Sequence, residues 1–550
     1  MLNKEMSQFA RTIFEQKYAH TLRSGRVETW DECASRVVKH VLGAAEFAGD
    51  EPEYKATLSA IKERRFIPGG RYLYASGRPL HQVQNCLMMR AQDSRQGWAD
   101  LTYKSAMGLM TGAGMGSNYS LVRPDGTPIR KTGGVASGPI ALMEIVNELG
   151  RQVKQGGSRR SAIWAGLNWR HADVIRFIHL KDWSKQVREL KSQDFNFPAT
   201  MDGTNISVCL DNEFFHAYNN EKAKLHSHAH VVYWEVVRQM LKTSEPGFSI
   251  DVDENAGEDL RNACTELTSA DDSDICNIGS INLARISTLK EMEETVEIAV
   301  AFLLAGTIYS DVPYEKVSQV RDKNRRLGLG IMGIHEWLLM HNKQYGVDSD
   351  LSSYLDCYRQ STTIAQTLAE KWQISKPIKT RAIAPTGTIG IVGETTTGIE
   401  PIFCTAYKRR YLKHTVWNYQ YVVDPTAKKL LDLGVGESQI EDAYTLAENV
   451  ERRVAFQAWV QQYVDHGISS TINLPSWGTP LNNEHTVRPF GEMLLKYLPR
   501  LRGITCYPDG ARGGQPLVPV KLSLALKHIG EVVVEQSDVC DITKGESCGS

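Results

Sequence analysis

No stretch of this 550-residue chain approaches the roughly 18 consecutive apolar residues of a membrane-spanning helix, so no membrane span is expected. The first residues, MLNKEMSQFARTIFEQKYAHTL, alternate charged and apolar side chains and lack a signal peptide's apolar core, which points to the cytoplasm. Surplus charge is missing too: 63 basic residues stand against 64 acidic ones. That balance argues against general affinity for nucleic acid or an anionic membrane, so a polyanionic ligand needs a local site. There is no Cys-x-x-Cys pair and no dense Cys/His cluster, and no metal site is expected. Ten cysteines in a chain this long do not make a disulfide scaffold. No Walker A sequence occurs, which removes the commonest ATPase reading. No two tyrosines are adjacent.

What is present reads as α/β. Residues 1 to about 65 carry apolar positions at helical spacing, as in WDECASRVVKHVLGAAEF. FIPGGRYLYASG, from Phe66 to Gly77, reads as a Pro/Gly-punctuated loop. Short apolar runs then alternate with helical stretches, and no linker divides the chain. The pattern predicts a helical N-terminal region over 1–65, one catalytic domain over 66–525, and a C-terminal segment over 526–550 ending in a small, polar tail. Residues 191–204, KSQDFNFPATMDGT, read as a flexible loop.

The most informative stretch is Asn262-Ala263-Cys264-Thr265-Glu266, with Cys276 twelve residues after the first thiol. If it is extended, Asn262, Cys264 and Glu266 share one face and enter one pocket together. A thiol, a carboxylate and an amide make a one-electron or nucleophilic centre with an acid/base partner. A buried, inert cysteine is the competing reading. Ala384-Pro385-Thr386-Gly387-Thr388-Ile389-Gly390 offers hydroxyls and glycine-freed amides suited to phosphate. Gly112-Ala113-Gly114-Met115-Gly116 resembles part of a dinucleotide fingerprint without its spacing. Arg123-Pro124-Asp125-Gly126 and Gly156-Gly157-Ser158-Arg159-Arg160 put arginine beside flexible backbone, a setting that can clamp phosphate.

Taken in order, these segments resemble the catalytic subunit of a ribonucleotide reductase of the class II, adenosylcobalamin-dependent type. The motifs are PGGRYLYASG with Asn85-Cys86, GMGSNYSLVRP, GGVASGP, NISV, EPGF, the Asn262–Glu266 set, CNIGSINL, RLGLGIMG, APTGTIG with GIEPIF, STINLP and GITCYPDGAR. The resemblance implies a ten-stranded α/β barrel of two parallel five-stranded halves, with a central finger loop carrying the radical cysteine. It implies Cys264 as the thiyl radical that abstracts the ribose 3′-hydrogen, Glu266 as general base and Asn262 as a substrate-orienting amide. Cys86 and Cys276 match the reducing pair. Asn85, Gly114, Pro385, Thr386, Gly387 and Thr388 match substrate-binding positions. Cysteines 33, 209, 357, 404 and 506 match none.

The same resemblance sets the cofactor and partners. Class I subunits relay a radical through adjacent tyrosines, absent here, and class III enzymes carry a glycyl radical motif and a four-cysteine metal site, neither visible. Adenosylcobalamin is therefore the implied cofactor. Ribonucleoside di- or triphosphate is the implied substrate, and a deoxynucleoside triphosphate or ATP the effector, at Asp93 and Arg123. An N-terminal ATP-cone is not expected. Cys540 and Cys548 are candidate tail thiols that pass electrons from thioredoxin or a glutaredoxin. A homodimer is favoured over a monomer. A class I subunit needing a separate radical generator and a non-catalytic nucleotide-binding protein of the same fold are the rivals.

Overall fold

The computed structural model describes residues 5–44, 51–155, 159–194, 197–413, 416–511, 517–529 and 531–534. Helices Gln8–Lys17, Trp30–Ala44 and Glu51–Lys62 occupy the N-terminal region. The Phe66–Gly77 stretch is more ordered than its prolines and glycines suggest. Phe66–Pro68 is a strand and Gly70–Ala75 a short helix, because Phe66 to Pro68 pair antiparallel with Gly279 to Ile281.

Five parallel strands form one half of the barrel: β1 (Cys86–Arg90), β2 (Gly114–Asn118), β3 (Ile163–Asn168), β4 (Thr204–Asp211) and β5 (Gly247–Asp251). The other half holds β6 (Asp274–Asn282), β7 (Leu327–Met332), β8 (Thr471–Leu474) and β9 (Gly503–Pro508). Pairs β6–β7 and β8–β9 are parallel. Two parallel bridges, Leu329 to Arg381 and Ile383 to Ile468, insert residues 381–383 between β7 and the segment leading into β8. The halves meet antiparallel at β1–β6 and at β5–β9. The hydrogen-bonded path thus returns to its start, giving two five-stranded parallel halves closed into a ring.

Strand alternation divides the core. Leu87, Met89 and Ile275 point outward into the apolar layer beneath the helices around the first half. Cys86, Met88, Cys276 and Ile278 point inward, joining Leu260, Leu267, Ala382 and Ala384 in a small inner cluster. The RLGLGIMG spacing follows from close packing: a Cβ on Gly328 would lie 2.6 Å from the Asn277 carbonyl, and one on Gly330 2.7 Å from that of Ala382.

Beside the barrel stands a four-stranded sheet. Its centre is the hairpin Ala406–Lys413 and Val416–Val423, flanked by Leu517–Pro519 and Val532–Val534. Ordered structure therefore runs past residue 525. Among the described residues no helix is long and apolar enough to cross a membrane.

Candidate active site

Between β5 and β6 the chain enters the ring as a finger. Leu260–Arg261 pairs antiparallel with Thr268–Ser269, and residues 262–267 form the tip. Gly116 on β2 lets the finger approach, since a Cβ there would sit 2.0 Å from the Arg261 carbonyl oxygen. The glycines at 112–116 therefore serve packing: Gly112 ends helix Arg95–Thr111 in the left-handed region, and Gly114–Asn118 is a strand.

The tip is a turn and not the extended segment expected from the sequence. The Thr265 N–H donates to the Asn262 carbonyl at 3.1 Å, and Thr265 has φ +65°. Asn262 stabilises the turn through its side chain, whose Oδ1 accepts the Leu267 N–H at 3.1 Å. From outside, Asn205 Nδ2 donates to the Ala263 carbonyl at 3.1 Å, and the Gly467 N–H donates to the Glu266 carbonyl at 2.7 Å. Thr268 Oγ1 donates to Glu258 at 2.7 Å, and Glu258 is held in turn by Arg326 at 2.9 Å. Glu258, Arg326 and Lys379 form a buried ion cluster under the finger that the sequence did not reveal.

A turn delivers the same three side chains to one place. Asn262, Cys264 and Glu266 line a cavity of about 330 Å³ together with Asn85, Cys86, Gly114 and Pro385 to Thr388. Glu266 is 1% exposed, and its Oε2 has no hydrogen-bond partner. Burial pushes its carboxyl up to about 7, against the opposing pull of its backbone amide and of Asn262. An orphaned carboxylate oxygen facing a cavity is a site for a ligand hydroxyl.

Cys86 and Cys276 are direct partners in the antiparallel β1–β6 ladder. Such partners have Cα atoms about 4.5–5.5 Å apart, inside the roughly 4.4–6.8 Å span a disulfide needs. Burial drives the Cys86 thiol well above its ordinary pKa, reinforced by Glu266, Cys276 and Cys264. Burial does the same to Cys276, whose Sγ lies 3.2 Å from the Asn277 and Arg326 carbonyls. Both thiols therefore keep their hydrogen at neutral pH, which suits hydrogen-atom or redox chemistry and disfavours a thiolate nucleophile.

Thr386 sits in the left-handed region at φ +48°, and its Oγ1 accepts the Gly398 N–H at 2.9 Å, tying the turn to the GIEP segment. Tyr18, from the N-terminal helical region, also lines the cavity, and no motif pointed to it. It packs over Gly70, where a Cβ would meet its ring carbon at 2.9 Å. Asp93 and Arg123 are together: Arg123 Nε donates to both Asp93 oxygens, at 2.9 and 2.8 Å. The 191–204 loop is partly regular, since Lys191 lies in the last turn of helix Lys185–Gln193 and holds Asp202 at 2.7 Å. Cys33, Cys209, Cys404 and Cys506 are buried, whereas Cys357 is partly exposed. Cys540, Cys548 and Gly156 to Ser158 lie outside the described residues.

A closed α/β ring with a thiol-bearing finger and an apposed cysteine pair defines an α/β barrel built around buried thiols. The chain belongs to the ribonucleotide reductase barrel-domain family, whose model matches residues 84–248, 253–358 and 378–497. A vitamin B12-dependent ribonucleoside-diphosphate reductase of Thermoplasma acidophilum is 28% identical over 523 residues, covering 82% of this chain and 64% of that protein. The protein of the same name from Mycobacterium tuberculosis H37Rv is 26% identical over 584 residues, covering 93% and 79%. A ribonucleoside-diphosphate reductase subunit alpha of Chlamydia pneumoniae is 24% identical over 474 residues, covering 73% and 44%. The chain thus spans less than two thirds of the Thermoplasma protein's length.

Proposed function

We propose that the protein is an adenosylcobalamin-dependent ribonucleotide reductase that makes 2′-deoxyribonucleotides by thiyl-radical chemistry. The carrying observation is the cavity that gathers Asn262, Cys264, Glu266 and Cys86, with Cys276 behind Cys86. The B12-dependent names of its relatives from Thermoplasma and Mycobacterium support the cofactor.

The cofactor's fit rests on a second cavity, of about 400 Å³, that shares Pro385 and Gly387 with the first. Phe9, Ile402 and Phe403 give it apolar walls suited to a flat macrocycle, and the Thr395 hydroxyl, buried without a hydrogen-bond partner, offers a polar contact. When bound, adenosylcobalamin supplies an initiating radical by homolysis of its cobalt–carbon bond.

The chain's own residues then act on the ribose. Cys264, as a thiyl radical, takes the 3′-hydrogen atom, and Glu266 accepts the 3′-hydroxyl proton. The 2′-hydroxyl leaves as water, and Cys86 and Cys276 give two electrons and two protons as they close to a disulfide. Glu266 then returns its proton to O3′ and Cys264 its hydrogen to C3′, so the 3′-hydroxyl is restored and the radical survives the cycle. Asn262 orients the sugar, Asn85 and Gly114 border it, and Pro385, Thr386, Gly387 and Thr388 receive the phosphates. The Asp93–Arg123 pair forms the effector site for a deoxynucleoside triphosphate or ATP. Cys540 and Cys548 pass electrons from thioredoxin or a glutaredoxin in the cytoplasm. Exposed Tyr103, Met110 and Ile145, on helices Arg95–Thr111 and Gly138–Gln152, favour a homodimer.

Purified protein with a dithiol, adenosylcobalamin and each of the di- and triphosphate substrates should form deoxynucleotides without a second protein. Cys264→Ser should abolish that activity. Activity that needed a separate metal-containing subunit would return the chain to the class I reading, and an active Cys264→Ser variant would remove the thiyl mechanism.

A further inference from the structure

Arg285 follows β6 in a short 3-10 turn, Leu283–Arg285, and its side chain is 11% exposed. A guanidinium carries five N–H donors, yet among the described residues Arg285 makes no hydrogen bond. Its one ion pair is with Glu394 at 4.0 Å. That carboxylate is already taken: Oε2 accepts Arg64 Nη1 at 2.6 Å, and Oε1 accepts the Ser7 N–H at 3.0 Å. Two nearly buried guanidiniums therefore share one carboxylate. Burial, with Arg64 beside it, lowers the Arg285 pKa from its ordinary value. With so little competition from protein acceptors among the described residues, the Arg285 donors can take an anion's oxygens in place of water.

Arg285 opens onto a cavity of about 810 Å³, inside the size range of small-molecule sites. Lys55, Lys62, Arg64 and Arg65 line it too, giving five cations against three carboxylates. The three carboxylates pair with two of those cations: Glu63 lies 2.9 Å and Glu291 3.7 Å from Arg65, and Asp31 lies 3.6 Å from Lys62. We propose that Arg285 anchors a binding site for a phosphate-bearing anion in this cavity, distinct from the substrate cavity. Planar, bidentate recognition of phosphate is what an arginine fork provides. The site has a route to the substrate cavity. Glu394 closes helix Gly387–Gly393, and the opposite end of that helix begins at the Thr386 turn.

Titration calorimetry at fixed ionic strength tests the site without any activity assay, so it stands or falls separately from the reductase reading. Tripolyphosphate is the first probe, with ATP in a second arm. Arg285→Met should lose one tripolyphosphate-binding event or weaken it about tenfold or more, and Arg123→Ala should keep that event. Lys62→Ala, at the cavity rim, should weaken it about threefold and decides the matter if Arg285→Met does not fold by circular dichroism. Tighter binding of ATP than of tripolyphosphate would identify a nucleotide as the ligand, and equal binding a free polyphosphate; both support the site. Titrations of Arg285→Met and Lys62→Ala identical to wild type would overturn it.

Discussion

Replacing Glu266 with glutamine should make the protein more stable and less active, and the two effects should share one pH dependence. In the unfolded chain this carboxyl ionises near its ordinary 4.5, and in the cavity near 7. Between those values the folded state holds a proton that the unfolded state has released. Stability therefore falls as pH rises from about 4.5 to 7 and is level above. At about 1.4 kcal/mol per tenfold change in proton affinity, ionising Glu266 in place costs about 3 kcal/mol. Glutamine cannot ionise, so urea unfolding of both proteins at pH 4.5 and pH 8 should show the gap shifting toward the variant by about 3 kcal/mol. Differences between the two proteins cancel the titration of all other groups. In activity, wild-type kcat/KM should climb with pH up to about 7 and then level. The variant should lose about 10²- to 10⁴-fold, the usual worth of a general base. A stability gap that is the same at both pH values would refute the reasoning, because Glu266 would then be titrating elsewhere.

Gly116→Ala should destabilise the protein by about 1–3 kcal/mol, read as a lowered unfolding midpoint, because the new methyl meets the Arg261 carbonyl. The same variant should react faster at Cys264 with a small alkylating reagent as the finger shifts. Wild-type protein stopped after turnover without dithiol should yield a peptide joining Cys86 to Cys276, and neither Cys86→Ser nor Cys276→Ser should sustain turnover. Tyr18→Ala should raise the substrate KM about tenfold with a smaller effect on kcat, as expected when binding common to ground and transition states is removed. Tyr18→Phe shows whether the hydroxyl or the ring carries that effect.

The closed ring follows the resemblance drawn from eleven ordered motifs, and its strands fall where short apolar runs alternate with helices. Closure itself was not legible in local pattern, because residues 381–383 join the ring through single bridges rather than a long strand. The Asn262–Glu266 cluster was legible as chemistry but not as conformation. Alternation suggested an extended segment, whereas contacts from Asn205 and Gly467, distant in sequence, hold a turn. Tyr18 and Arg285 carry no local signature at all. Each gains its meaning from packing against segments far along the chain, at Gly70 and at Glu394. The hairpin over 406–423 is rich in charged and aromatic residues and gives no clear apolar period, so the sequence reading passed over it.

The position of Cys86 and Cys276 has a mechanical meaning. They stand on β1 and β6, the two strands that splice one half of the ring to the other. On the proposed chemistry, each product formed would rivet the halves together, and each reduction would withdraw the rivet. The reductant would then restore suppleness to the splice as well as electrons to the site.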